Sequence, residues 1–275
     1  RTGKLLPPKT GMLAMTIQSL LRGVDRPLTL VPVYLGYEHV MEVGTYHKEL
    51  SGSKKQSESI FGVFKAIKSL RNYGRGYVNF GEPINVNRFL DGHVENWQDA
   101  IDPIDPQKPS WLTPSVNHLA DNVMVAINKS VALNGVSLIA MILHATPNKA
   151  MSKSELLSHL AFFLTLQRVA PYSDELTIPC DDAEALLEHV ISLNKLTIEQ
   201  DSFGDIVSLT DSAKLEMRYY RNNILHAYVI HALVCRSLAR FTKLDQAAII
   251  QNVQQVFEII QPDFYLWQDN ERVAS

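Results

Sequence analysis

Between Pro27 and Gly36 the chain reads LTLVPVYL, an almost unbroken apolar run rich in β-branched residues. Bounded by a proline and a glycine, it predicts a strand over Leu28–Leu35 buried on both faces, and therefore a sheet covered on each side. Upstream, Met12, Leu13, Met15, Ile17, Leu20 and Leu21 recur at helical spacing and predict a helix over Gly11–Arg22, stopped by Gly23 and Pro27. Downstream, the stripe Ile60, Val63, Phe64, Ile67 and Leu70 predicts a helix over Ser57–Asn72, and Tyr77–Phe80 a second strand that ends at Gly81, Glu82 and Pro83. Strand, helix and strand in this order make a β-α-β unit, so the front of the chain reads as the end of an α/β domain, incomplete by itself.

The proline-rich run DPIDPQKPSWLTP before Ser115 reads as a linker or surface loop and sets a boundary, giving residues 1–112 and 113–275 as two domains. Beyond it, helical patterns occupy Ser115–Ser130, Ser152–Val169, Asp181–Leu193, Ser212–Leu225 and Leu244–Ile260, so the back domain is mostly helix. Lys195–Glu199, the turn DSFGD and Ile206–Leu209 add a hairpin after two helices, the outline of a winged helix. The helix that would enter a DNA groove, DDAEALLEHVISLN, has Asp181, Asp182, Glu184 and Glu188 and no Lys or Arg. Phosphates would repel it, so the expectation is no nucleic acid and a packing or protein-interaction module instead.

Charge is distributed unevenly. Residues 1–88 contain 13 Lys/Arg and 6 Asp/Glu, a net of +7, whereas residues 89–275 contain 13 and 23, a net of -10. A basic front attracts phosphorylated substrates, acidic carrier proteins or anionic lipid, which places the chemistry there. The two cysteines, Cys180 and Cys235, have no metal-ligand spacing and suit a reducing, cytoplasmic compartment. The longest apolar stretches, Val136–Leu143 and Ala227–Cys235, are far shorter than the ~20 residues a membrane-crossing helix needs. The chain begins at Arg1 with no Met and no leader pattern, as a fragment of a longer protein would.

The opening RTGKLLPPKTG sets Arg1, Lys4 and Lys9 around Gly3 and Gly11. Cations make charge-assisted bonds to phosphate oxygens and glycines admit backbone amides close to a ligand, although the spacing is not that of a P-loop and a solvated basic loop would look the same. Taken further, RTGKLLPPKTGMLAM followed by LTLVPVYLGYEHV resembles the third and fourth sequence blocks of the large, membrane-associated bacterial glycerol-3-phosphate acyltransferases. YVNFGEPI over Tyr77–Ile84 resembles a strand ending common among glycerolipid acyltransferases. The resemblance implies that Arg1 and Gly3, with Thr2 and Lys4 beside them, belong to the block that binds glycerol 3-phosphate. It also implies that Pro32 is the proline of the fourth block; as a proline tolerated on an edge strand it has a purely structural reading too.

The resemblance further implies an acyl-CoA or acyl carrier protein donor, a place at the cytoplasmic side of the inner membrane, and contact with its surface lipid; no cofactor or metal is expected. In the family a histidine followed five residues later by an aspartate serves as the general base on the glycerol hydroxyl. None of the nine histidines here is followed by aspartate at that distance. The expectation is that this chain alone transfers no acyl group. Lys54, Lys55, Arg71 and Arg75 flank the Ser57–Asn72 helix, which could rest on an anionic membrane surface or simply pack on the sheet. His226, His231 and Cys235 share one apolar segment, but only His231 and Cys235 share a face, so packing is expected rather than metal binding.

Overall fold

The computed structural model describes residues 2–24, 26–39, 74–202, 204–240 and 245–267. The first helix, α1 (Gly11–Leu21), turns Ile17, Leu20 and Leu21 inward, as its spacing requires. Next come β1 (Thr29–Leu30), β2 (Val33–Tyr37), β3 (Gly76–Phe80), β4 (Ile84–Asn85) and α2 (Val86–His93). A 3₁₀ turn at Trp97–Ala100 and an irregular stretch lead into α3 (Leu112–Lys129).

Two expectations for this region need correction. The run Leu28–Leu35 is not one strand: it breaks at Val31–Pro32, because proline has no N–H to continue a ladder. Pro32 instead accepts from the Gly81 amide at 2.9 Å through its carbonyl. Nor is the run buried on both faces: Tyr34 and Gly36 point inward while Leu35 and Tyr37 are exposed. The β-α-β unit fails as well, since β2 and β3 pair antiparallel, with Val33 opposite Phe80 and Tyr37 opposite Gly76, and β1 pairs antiparallel with β4. The Ser57–Asn72 helix lies outside the described residues.

The rest is α4 (Gly135–Ala145), β5 (Ala150–Ser152), α5 (Lys153–Val169), α6 (Ala183–Ser192), β6 (Leu196–Asp201), β7 (Gly204–Leu209), α7 (Ala213–Ile224), a 3₁₀ turn at Leu225–Tyr228, α8 (Val229–Arg240) and α9 (Gln246–Phe264). Local chemistry fixes several helix starts. Ser152 and Glu155 form a capping box on α5, while Asn134, Asp182 and Asp245 accept first-turn amides of α4, α6 and α9. The strands form a three-stranded antiparallel sheet in the order β5-β7-β6.

The described residues form two apolar cores. The larger surrounds α4, whose Val136, Leu138, Ile139 and Leu143 are buried on all sides against α5, α6, α7 and the sheet. The smaller joins α1, α2 and Trp97 to Leu112, Val116 and Leu119 of α3. Among the described residues no helix is long and apolar enough to cross a membrane. The molecule is therefore a mixed helix-and-sheet protein dominated by helix. Truncating the fully buried Ile139 to alanine leaves a cavity at the centre of the larger core; equilibrium urea unfolding should show a loss of about 3 kcal/mol without a change of fold by circular dichroism.

Candidate functional site

The amino-terminal segment does not lie free. Gly3 and Lys4 line a cleft of about 330 Å³ whose other walls are Val33, Tyr34 and Leu35 of β2, Tyr219, Asn222 and Asn223 of α7, His226, and Asp263–Tyr265 at the end of α9. Sequence-remote parts of the chain thus meet where the basic block begins. Gly3 adopts φ +87°, and a Cβ there would collide with the backbone carbonyl of Tyr219, so only glycine fits. The Lys4 ammonium sits 4.0 Å from the centre of the Phe264 ring, a cation–π contact with another residue of the cleft lining. Asn222 Nδ2 donates to the Thr2 carbonyl at 2.6 Å, and the Lys4 amide donates to Thr2 Oγ1 at 3.4 Å.

Of the residues expected at the site, Gly3 and Lys4 line the cleft, Thr2 is held beside it, and Arg1 lies outside the described residues. Pro32 is buried immediately before the strand that forms one wall. His226, His231 and Cys235 do not converge. His226 is buried and donates to the Asn128 carbonyl at 3.1 Å, His231 donates to the Ala170 carbonyl at 3.0 Å, and Cys235 is exposed. Burial pushes the His226 pKa down to about 4, against a weaker opposing pull from its bond to Asn128.

Behind the cleft wall is a polar cluster that sequence reading missed. Glu38, directly after β2, is buried and accepts three hydrogen bonds: from Tyr77 Oη at 2.6 Å, the Arg75 amide at 2.7 Å and His189 Nε2 of α6 at 2.6 Å. Burial first, and then the Glu38 carboxylate, pushes the Tyr77 phenol well above its ordinary value. Next to it, buried Lys195 donates to Glu216 Oε1 at 2.9 Å, which also accepts from Tyr220 Oη at 2.8 Å, with His39 Nδ1 3.4 Å from the same oxygen. Asn79 on β3 donates to the Ser130 carbonyl and to Thr177 Oγ1, both at 2.8 Å. The inner face of the β2–β3 hairpin is fastened to the helical part by polar side chains. No spacing signal could reveal these pairs, because Glu38 and His189 are 151 residues apart.

Residues 46–275 match the family model for the glycerol-3-phosphate acyltransferase C-terminal region, so the chain belongs to that family. It is 68% identical to the glycerol-3-phosphate acyltransferase of Colwellia psychrerythraea over 275 residues, all of this chain and 34% of that protein. It is 51% identical over 271 residues to the protein of the same name from Pseudoalteromonas translucida and 47% identical over 275 residues to that from Pseudoalteromonas atlantica. These alignments cover 98% and 100% of this chain and 33% and 34% of the relatives, so the chain spans about a third of their length.

Two stability measurements test this geometry. Replacing Glu38 by alanine leaves Tyr77, His189 and the Arg75 amide without their buried acceptor and should cost about 3–5 kcal/mol in denaturant unfolding, with Glu38→Gln costing less. Because His226 is held neutral when folded but takes up a proton near its ordinary 6.5 when unfolded, its contribution is complete above that pH and is lost as pH falls from 6.5 towards about 4. His226→Asn should flatten the decline of unfolding free energy over that window by up to ~3 kcal/mol relative to the parent protein.

Proposed function

We propose that the chain is the carboxy-terminal part of a glycerol-3-phosphate 1-O-acyltransferase, which passes a fatty acyl group from acyl-CoA or acyl carrier protein to glycerol 3-phosphate and forms lysophosphatidic acid. The observation that carries this reading is the match along the whole chain to relatives bearing that activity in their names, at up to 68% identity. The convergence of the Thr2–Lys4 turn and the β2 strand on one cleft supports it. In this reading the first-carbon hydroxyl attacks a thioester carbonyl and the thiol leaves, with the general base supplied by the part of the longer protein before Arg1. This chain supplies one edge of the phosphate site and the walls that position it, through Arg1, Gly3 and Lys4, with Pro32 setting the start of β2.

The outward face of the hairpin supports a continuation of the domain. Leu35 pairs across the ladder with Val78 and Val33 with Phe80, and Leu35, Val78 and Phe80 are 56%, 55% and 71% exposed. An apolar sheet face of this kind is suited to burial against further protein, here the preceding part of the same acyltransferase domain. Residues 1–112 and 113–275 are then the end of that domain and a helical domain joined through α3. Within the second, the order helix, strand, helix, helix, strand, strand over α4–β7 is the outline of a winged helix. Asp181 and Asp182 just before its third helix, α6, and Glu184 and Glu188 on it are exposed, which suits packing or a protein partner and not phosphates. A peripheral position on the cytoplasmic side of the inner membrane, against its surface lipid, completes the reading.

The test is acyl transfer from palmitoyl-CoA to radiolabelled glycerol 3-phosphate. The full-length protein should form lysophosphatidic acid, and residues 1–275 alone should form none. A full-length protein with an intact histidine-aspartate pair that acylates no glycerol 3-phosphate would overturn the assignment.

A further inference from the structure

The Thr2–Lys4 turn is held from outside its own segment. Asn222 on α7 donates from Nδ2 to the Thr2 carbonyl at 2.6 Å, and its Oδ1 accepts from Nε and Nη2 of Arg221 at 3.0 and 2.9 Å. A carboxamide has one acceptor end and one donor end. With the oxygen engaged twice by a guanidinium, the NH₂ group is turned to the Thr2 carbonyl, which fixes the amide's orientation. One helical turn earlier on α7, the Tyr219 carbonyl fills the space where a Gly3 side chain would stand. Lys4 is steadied by Phe264 at the end of α9. Three contacts from the helical part therefore meet the three residues of the turn.

We propose that Asn222, oriented by Arg221, is a positioning residue for glycerol 3-phosphate, holding the backbone of the phosphate-binding segment in register through Thr2. The inference rests on reading Thr2–Lys4 as part of that segment. Asn222 has both ends of its amide engaged within the protein, so it acts on substrate through the turn. Recognition of a phosphate by cations and close backbone amides depends on their placement, and a misplacement of about 1 Å is costly. The helical region is on this view part of the substrate site and not an appendage to it.

The test is steady-state kinetics of the full-length protein with Asn222→Asp and Asn222→Leu. Aspartate keeps an acceptor for Arg221 but has no proton to give the Thr2 carbonyl; leucine removes the bond without adding negative charge. Both should raise the KM for glycerol 3-phosphate about tenfold, equivalent to ~1.4 kcal/mol, with the KM for palmitoyl-CoA and the melting temperature little changed. Arg221→Ala should give a smaller rise of the same kind. An unchanged glycerol 3-phosphate KM, an equal rise in both KM values, or an effect confined to the aspartate variant, as simple repulsion of the substrate would produce, overturns the proposal. If the parent protein proves to acylate no glycerol 3-phosphate, the assignment of function fails separately, and calorimetric binding of glycerol 3-phosphate then decides the matter: a Kd unchanged by Asn222→Leu overturns the positioning role.

Discussion

The Glu38 carboxylate is the interaction on which the described structure turns. A carboxylate 1% exposed can stay in the interior only if its oxygens are fully engaged, and here a phenol, a backbone amide and an imidazole engage them. Two of the donors, Arg75 and Tyr77, come from the start of β3 and its approach, and the third, His189, from α6. One side chain thereby ties β2 to β3 at the end of the ladder where Tyr37 pairs with Gly76, and joins the pair to the helical region. Lys195, Glu216 and Tyr220 extend the same polar seam towards α7, where Asn222 reaches the amino-terminal turn.

This seam helps to bring together the five distant stretches of chain that wall the cleft, Ile127 and Asn128 of α3 among them. The hairpin alone would be a two-stranded ribbon, marginal in water and apolar on its outer face. Fastened by Glu38 and Asn79, it presents Val33 and Tyr34 to the cleft at a fixed distance from α7, and the glycine at position 3 lets the basic segment lie against the Tyr219 carbonyl.

Much of the helical part was legible in the sequence because short-range chemistry sets it. Ser152 and Glu155 announce α5, Asp182 announces α6, and the apolar spacing of Leu186, Leu187 and Val190 matches the buried face of α6. The hairpin of β6 and β7 was legible for the same reason. The central helix α4 was not, since it is buried almost all round and has no apolar stripe to read. The strand β5 is too short to leave a pattern. In the front part, the apolar run around Pro32 spoke for a strand but could not show that the proline would divide it, or that β2 would pair antiparallel with β3. Of the cleft lining, the basic opening block marks only Gly3 and Lys4. The cleft's far wall, Tyr219, Asn222 and Phe264, and the Glu38 seam are long-range pairings without a local signature.

The most direct measurement is a double-mutant cycle on Glu38 and His189, using Glu38→Gln and His189→Gln alone and together, with stability read from urea unfolding. If this pair ties the hairpin to the helical region, the two substitutions should be coupled by at least ~1 kcal/mol, the double variant being less destabilised than the sum of the single ones. Strict additivity would contradict the account and would leave the hairpin held to the helices by packing alone.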